Sequence, residues 1–103
     1  MNQRIVDHFN SSAKTALASG EALAGNILRA SQSMLNTLDR GGKLLLCGNG
    51  GSATDAMHFS AELLVRFLKE RQALPAVALV SDTATLTATG NDYAFDQIFS
   101  RQV

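Results

Sequence analysis

Little in this sequence could tie the chain together covalently or draw it to a charged surface. A single cysteine, Cys47, rules out an internal disulfide and with it the disulfide-built secreted class. A cytoplasmic protein is the expectation. Nine basic and nine acidic residues cancel, so no bulk attraction to nucleic acid or to an anionic membrane is implied. No apolar run approaches the roughly 20 residues of a membrane-crossing helix. Met1 to His8 does not read as a signal peptide, because its charged start is not followed by an apolar core segment. There is no low-complexity stretch, internal repeat or obvious linker. What is present is an apolar fraction of 46% in 103 residues, too high for a disordered chain and enough for one small domain.

The first 40 residues predict helix. Ile5, Phe9, Ala13, Ala16 and Leu17 recur at helical spacing, and Gly20 is expected to interrupt them. A second helix is expected from Glu21 to Asp39, with Leu23, Ile27, Leu28, Leu35 and Leu38 on one side and Gly41-Gly42 as its stop. Two amphipathic helices are more than one sheet needs. Their spare apolar faces suggest packing against another subunit, with cover for one sheet face as the alternative.

Lys43 to Cys47 predicts a strand. It is apolar without alternation, as in a parallel sheet buried on both faces, and Cys47 is expected to be a buried strand-end residue. A glycine-rich turn, Gly48-Asn49-Gly50-Gly51-Ser52, follows, and then a helix to about Glu70. Ser52-Ala53-Thr54-Asp55 matches a capping box. Lys69, Glu70 and Arg71 read as a solvated exit turn, and Pro75 opens a second strand, Ala76 to Val80. Ser81-Asp82 caps a short helix from Thr83 to Thr89, Gly90-Asn91-Asp92 reads as a turn, and Tyr93 to Phe99 as a short helical segment. Two strands make only a fragment of a doubly wound sheet. The chain therefore reads as the first half of a larger domain, or as one completed by a partner.

The strand–turn–helix junction is where chemistry would gather. Glycines let a ligand approach the backbone, and helix N–H groups hold an anion such as a phosphate. The turn is neither a P-loop, since the GK[ST] ending is absent, nor the dinucleotide fingerprint, since Ala53 stands where that pattern needs glycine. A plain tight turn is its other reading. On the following helix Asp55, His58, Glu62 and Arg66 form one polar stripe. His58 and Glu62 fit a shared metal ion, and Glu62 fits a general base. An ordinary Glu62–Arg66 pair beside a satisfied histidine fits the same spacing. Two ligands do not complete a metal site.

Taken together, Cys47-Gly48-Asn49-Gly50-Gly51-Ser52, then Asp55-Ala56-Met57-His58-Phe59 with Glu62, then Gly90-Asn91-Asp92-Tyr93 leading into Ile98-Phe99-Ser100, resemble the sugar isomerase (SIS) family. The resemblance covers essentially the whole chain and is strongest to the branch that isomerises sedoheptulose 7-phosphate. It implies a flavodoxin-like three-layer α/β/α fold preceded by helices that help build a homotetramer. It implies conversion of sedoheptulose 7-phosphate to D-glycero-D-manno-heptose 7-phosphate for the heptose of lipopolysaccharide core. By the same resemblance Asn49, Gly50, Gly51, Ser52, Glu62, Asn91 and Asp92 contact substrate. His58 and Glu62 are zinc ligands, and Glu62 is also the catalytic base.

The family pattern continues into a serine- and threonine-rich phosphate loop and a later helix bearing glutamine and histidine, none of which lies in these residues. The 103 residues alone are thus expected to lack useful isomerase activity. Two other uses of the family's fold compete. One is an initiator-associating protein that binds DnaA, which is expected to lack the glutamate that Glu62 supplies here. The other is a sugar-phosphate sensing module.

Overall fold

The computed structural model describes all 103 residues, Met1–Val103. They form two compact units, Met1–Asn36 and Thr37–Val103. The first is almost entirely one helix. Helix α1 runs without a break from Asn2 to Asp39, 38 residues, where two helices are predicted. At 1.5 Å per residue it is about 57 Å long. Gly20 does not interrupt it. A glycine inside a helix costs about 1 kcal/mol relative to alanine, and the alanine-rich flanks on both sides carry the helix through. Its apolar residues Phe9, Leu17, Ile27, Leu28 and Leu35 are all exposed.

The expected stop after α1 is there. The Gly41 N–H donates to the carbonyl of Leu38 (3.0 Å) and the Gly42 N–H to that of Thr37 (2.9 Å). This crossed pair satisfies two of the orphan carbonyls at a helix end. Gly41 has φ 76°, in the left-handed region.

In the second unit the order is β1 (Leu44–Leu46), α2 (Gly51–Leu64), β2 (Ala76–Ala78) and α3 (Thr83–Asp92), then two short 3-10 turns, Phe95–Gln97 and Ser100–Gln102. The strands pair in parallel, with Leu44 opposite Ala76, Leu45 opposite Val77 and Leu46 opposite Ala78. The pairing is extended at its ends, where Leu44 N–H donates to the Pro75 carbonyl (3.0 Å) and Leu79 N–H to that of Leu46 (2.8 Å). Helix α2 covers one face. Its buried positions are Ala56 and Ser60, one helical turn apart and small enough to let the helix sit close on the sheet. The Ser60 hydroxyl reaches the Ala76 carbonyl at 3.5 Å. Ala76, Leu79 and Ile98 complete the apolar core.

The other face of the pair is open, which corrects the expectation of a strand buried on both sides. Leu45 and Val77 are 39% and 45% exposed. Cys47, two residues after Leu45 and so on the same face, is exposed rather than buried.

Three further boundaries differ from expectation. Helix α2 starts with Gly50 as its N-cap and no side-chain cap, so Ser52 lies inside the helix and the capping box does not form. It ends at Leu64, well before Glu70. Helix α3 begins as predicted on Asp82, whose carboxylate accepts from the Thr85 N–H (3.0 Å) and the Thr85 hydroxyl (2.7 Å). It then runs through Gly90, Asn91 and Asp92, which are its last residues and not a turn. A firm N-cap and a glycine without positive φ leave nothing to end the helix earlier. At the C-terminal side the Gln102 amide donates to the carbonyls of Leu79 (2.8 Å) and Ile98 (2.9 Å), tying the last 3-10 turn to the end of β2.

Two stability outcomes follow from these caps. Gly41→Ala forces an L-residue into the left-handed region and is expected to cost about 1–2 kcal/mol, read as a lower urea midpoint at unchanged slope. The backbone and side-chain hydrogen bonds from Thr85 hold the Asp82 carboxyl below its ordinary value. Its contribution is therefore present above the ordinary aspartate range and is lost as pH falls through the lowered folded value. Thermal melts between about pH 5 and pH 2 should show a shallower acid loss in Asp82→Asn, which keeps the cap without titrating, than in the unchanged protein.

Candidate functional site

The turn between β1 and α2 is built by backbone geometry. Gly50, at φ 57° and ψ −122°, takes the first central position of a type II′ turn, closed by the Ser52 N–H on the Asn49 carbonyl at 3.0 Å. Gly48 meets the first turn of α2 so closely that a Cβ there would stand 2.7 Å from the Ser52 carbonyl carbon, its oxygen and its Cβ. No side chain larger than hydrogen fits at Gly48 unless α2 moves. The Thr54 hydroxyl donates to the Gly51 carbonyl at 2.6 Å, so it points back into the turn rather than out to a ligand.

This turn forms one wall of a cavity of about 420 Å³, lined by Gly48, Asn49, Gly50, Ala53 and, from the opposite side, residues of α3 and the following 3-10 turn including Thr87, Gly90, Phe95 and Phe99. Of the residues expected to contact substrate, Asn49 and Gly50 line it. Gly51 and Ser52 open α2 and are exposed. Asn91 and Asp92 are exposed at the end of α3, where the Asn91 amide donates to the Asp92 carboxylate at 2.8 Å. Neither lines the cavity, although Gly90 beside them does. Just after α3 the Arg101 guanidinium stacks over the Tyr93 ring, 3.9 Å from its centroid.

His58 and Glu62 lie elsewhere. Glu62 is in the last turn of α2, about 18 Å along the axis from Gly50. They line a second cavity, of about 490 Å³, with Asp55, Phe59, Leu63, Phe67 and Arg71. His58 Nε2 stands 3.2 Å from Glu62 Oε1. The other carboxylate oxygen, Glu62 Oε2, is buried without a hydrogen-bond partner. Arg66 lies beyond the end of α2 and faces Glu70 at 3.9 Å, both exposed, so the Glu62–Arg66 pair, the alternative reading of this stripe, is not seen. A pair at that distance in water contributes little.

The orphaned oxygen tests whether a metal fits. A buried carboxylate oxygen without a partner calls for a cation or a donor, and the His58 ring beside it adds a second group of a kind that binds metals. The pair fits as part of a zinc site. No group of three or more His, Cys, Asp or Glu side chains gathers anywhere in these residues, so His58 and Glu62 do not complete one.

Arg71 escaped the sequence reading. It is half-buried rather than a solvated exit residue. Its guanidinium donates to the carbonyls of Glu62 (2.7 Å), Leu63 (2.8 Å), Gln72 (3.1 Å) and Val65 (3.4 Å). No periodic signal marks it, because it returns to the helix from a loop.

With this geometry in view, the similarities are specific. The SIS domain profile matches residues 8–103. The phosphoheptose isomerase of Thiobacillus denitrificans is 52% identical over all 103 residues, which cover 52% of that protein. That of Shewanella sediminis is 53% identical over the same span, again 52% of its length. Among solved structures, phosphoheptose isomerase from Francisella tularensis aligns with a TM-score of 0.92 at 46% identity, over 98% of this chain and 53% of the other. That from Neisseria gonorrhoeae aligns with 0.90 at 44%, over 99% and 52%. The chain thus spans about half the length of the relatives it matches. Its long helix and small parallel sheet are those of the SIS fold, and the chain belongs to the SIS family.

Proposed function

We propose that this chain is part of an aldose–ketose isomerase acting on a sugar phosphate, specifically sedoheptulose 7-phosphate, with Glu62 as its base. The observation that carries the proposal is the His58–Glu62 pair, with one carboxylate oxygen buried and unpartnered at the wall of a cavity. The isomerase name of the relatives supports this reading over the initiator-binding one.

A carboxylate so placed suits the reaction. It takes the proton from C1 of the ketose, leaving an enediol between C1 and C2, and returns it to C2 to give the aldose. The oxygens exchange a proton as well, which requires an acid besides Glu62. His58 holds one carboxylate oxygen at 3.2 Å and so limits the rotation of the group. Zinc bound at His58 and Glu62 would act as a Lewis acid at the carbonyl. Phe59, Leu63 and Phe67 give the wall beside the carboxylate an apolar lining. The glycine turn, with Asn49, Gly50, Gly51 and Ser52, and the exposed Asn91 and Asp92 lie away from the Glu62 cavity, so in this reading they meet the sugar phosphate bound at Glu62 of a second copy of the chain.

The exposed apolar side of α1 supports self-association, and we propose the homotetramer that the resemblance to the SIS family implies. No helix is long and apolar enough to cross a membrane.

The complete protein is expected to interconvert the two heptose phosphates and to carry zinc by elemental analysis. Glu62→Gln should lower kcat by about 10²–10⁴-fold. Absence of turnover by the unmodified protein would sink the enzyme reading. On the association proposal, light scattering should give a tetramer, and Phe9→Asp with Leu28→Asp should break it down. A monomeric unmodified protein would refute it.

A further inference from the structure

We infer that Arg71 is a positioning residue for Glu62, fixing the carboxylate's place through the backbone that carries it. The inference rests on the reading of Glu62 as the base. Glu62 stands two residues from the end of α2, where a helix leaves its last carbonyls without partners and frays. The Ala61 carbonyl is taken by the Val65 N–H at 2.8 Å. The next two are held by one guanidinium, whose Nη2 binds the Glu62 carbonyl (2.7 Å) and whose Nη1 binds that of Leu63 (2.8 Å). The Leu74 N–H adds a second donor to the Leu63 carbonyl at 3.0 Å. The loop from Val65 to Leu74 is thereby folded back onto the helix end that carries Glu62.

The hydrogen bonds described for Arg71 run to carbonyl oxygens, so it acts on the peptide frame of Glu62 rather than on its carboxylate. Its planar fork spans two adjacent carbonyls, which a lysine ammonium, a single point of donation, does not reproduce. Its cation also stands at the negative end of the helix dipole, which favours it there. Because the guanidinium lines the same cavity as Glu62, the cap and the carboxylate share one wall. A shift of the last turn of α2 moves the base relative to the carbon it deprotonates, and a displacement of about 1 Å costs on the order of 100-fold in rate.

The test uses the complete protein and Arg71→Lys. In the unmodified background kcat should fall about tenfold to a hundredfold, with KM changed far less. In a Glu62→Gln background the same substitution should leave the residual rate within about twofold, since the group it positions is gone. An equal loss in both backgrounds would overturn the inference, because a general structural role lowers both alike. Gly41→Ala, which weakens the fold away from the cavity, should leave kcat unchanged.

Amide hydrogen exchange gives a readout independent of turnover. Val65 and Leu74 should exchange about tenfold faster in Arg71→Lys, with Ala56 and Ser60 unaffected. Unchanged exchange at Val65 overturns the inference, as does a general loss of helical circular dichroism. If the unmodified protein does not turn over the heptose phosphate, the isomerase reading fails, and the inference that depends on it fails as well. The exchange data then still show whether Arg71 fixes the end of α2.

Discussion

The contact between α2 and the parallel pair β1–β2 is the constraint from which the rest of the second unit takes its place. Two small side chains, Ala56 and Ser60, are buried on the sheet side of α2, Ser60 against Ala76, and larger ones at those positions would hold the helix away from it. Once the helix lies there, both of its ends are fixed. The N-terminal end comes so close to Gly48 that only a hydrogen fits between them. The C-terminal end is gathered by Arg71. A rigid rod held at both ends then carries the glycine turn at one end and the His58–Glu62 pair at the other.

That arrangement separates the two sets of groups proposed to act on one substrate. The turn and the carboxylate lie on different cavities, with nearly the whole of α2 between them. Each cavity has a polar point and an apolar lining: Asn49 and the turn backbone against Phe95 and Phe99 in one, His58 and Glu62 against Phe59 and Phe67 in the other. The sheet face that bears Leu45 and Val77 is bare in these residues, and two strands form a weak sheet by themselves. The relatives are about twice as long as this chain.

The local features were legible in the sequence. His58 and Glu62 are four apart on a helix and therefore meet, whatever surrounds them. The parallel pairing followed from two strands separated by a helix, and Ser81-Asp82 between strand and helix marked the cap that Asp82 forms. Features fixed by distant groups were not legible. The end of α2 depends on a guanidinium that returns from Arg71, so helical propensity through Val65, Phe67 and Leu68 pointed too far. The exposure of Cys47 depends on which face of the sheet is covered, and an all-apolar strand does not say which. In the sequence Gly20 and Gly90 suggest breaks because glycine often is one. Neither has the positive φ that ends a helix, and both helices run through.

The last turn of α3 bears one more consequence. Asp92 is its final residue, and no basic side chain stands in that turn. The carbonyl end of a helix is electronegative and favours cations, so a carboxylate there opposes the helix that carries it. The Asn91 amide offsets part of that repulsion by donating to it. Folding alone would favour lysine at this place. The end of α3 is thus a segment where helix stability and the substrate contact proposed for Asp92 pull in opposite directions, so a sequence optimised for stability would tend to lose the acid.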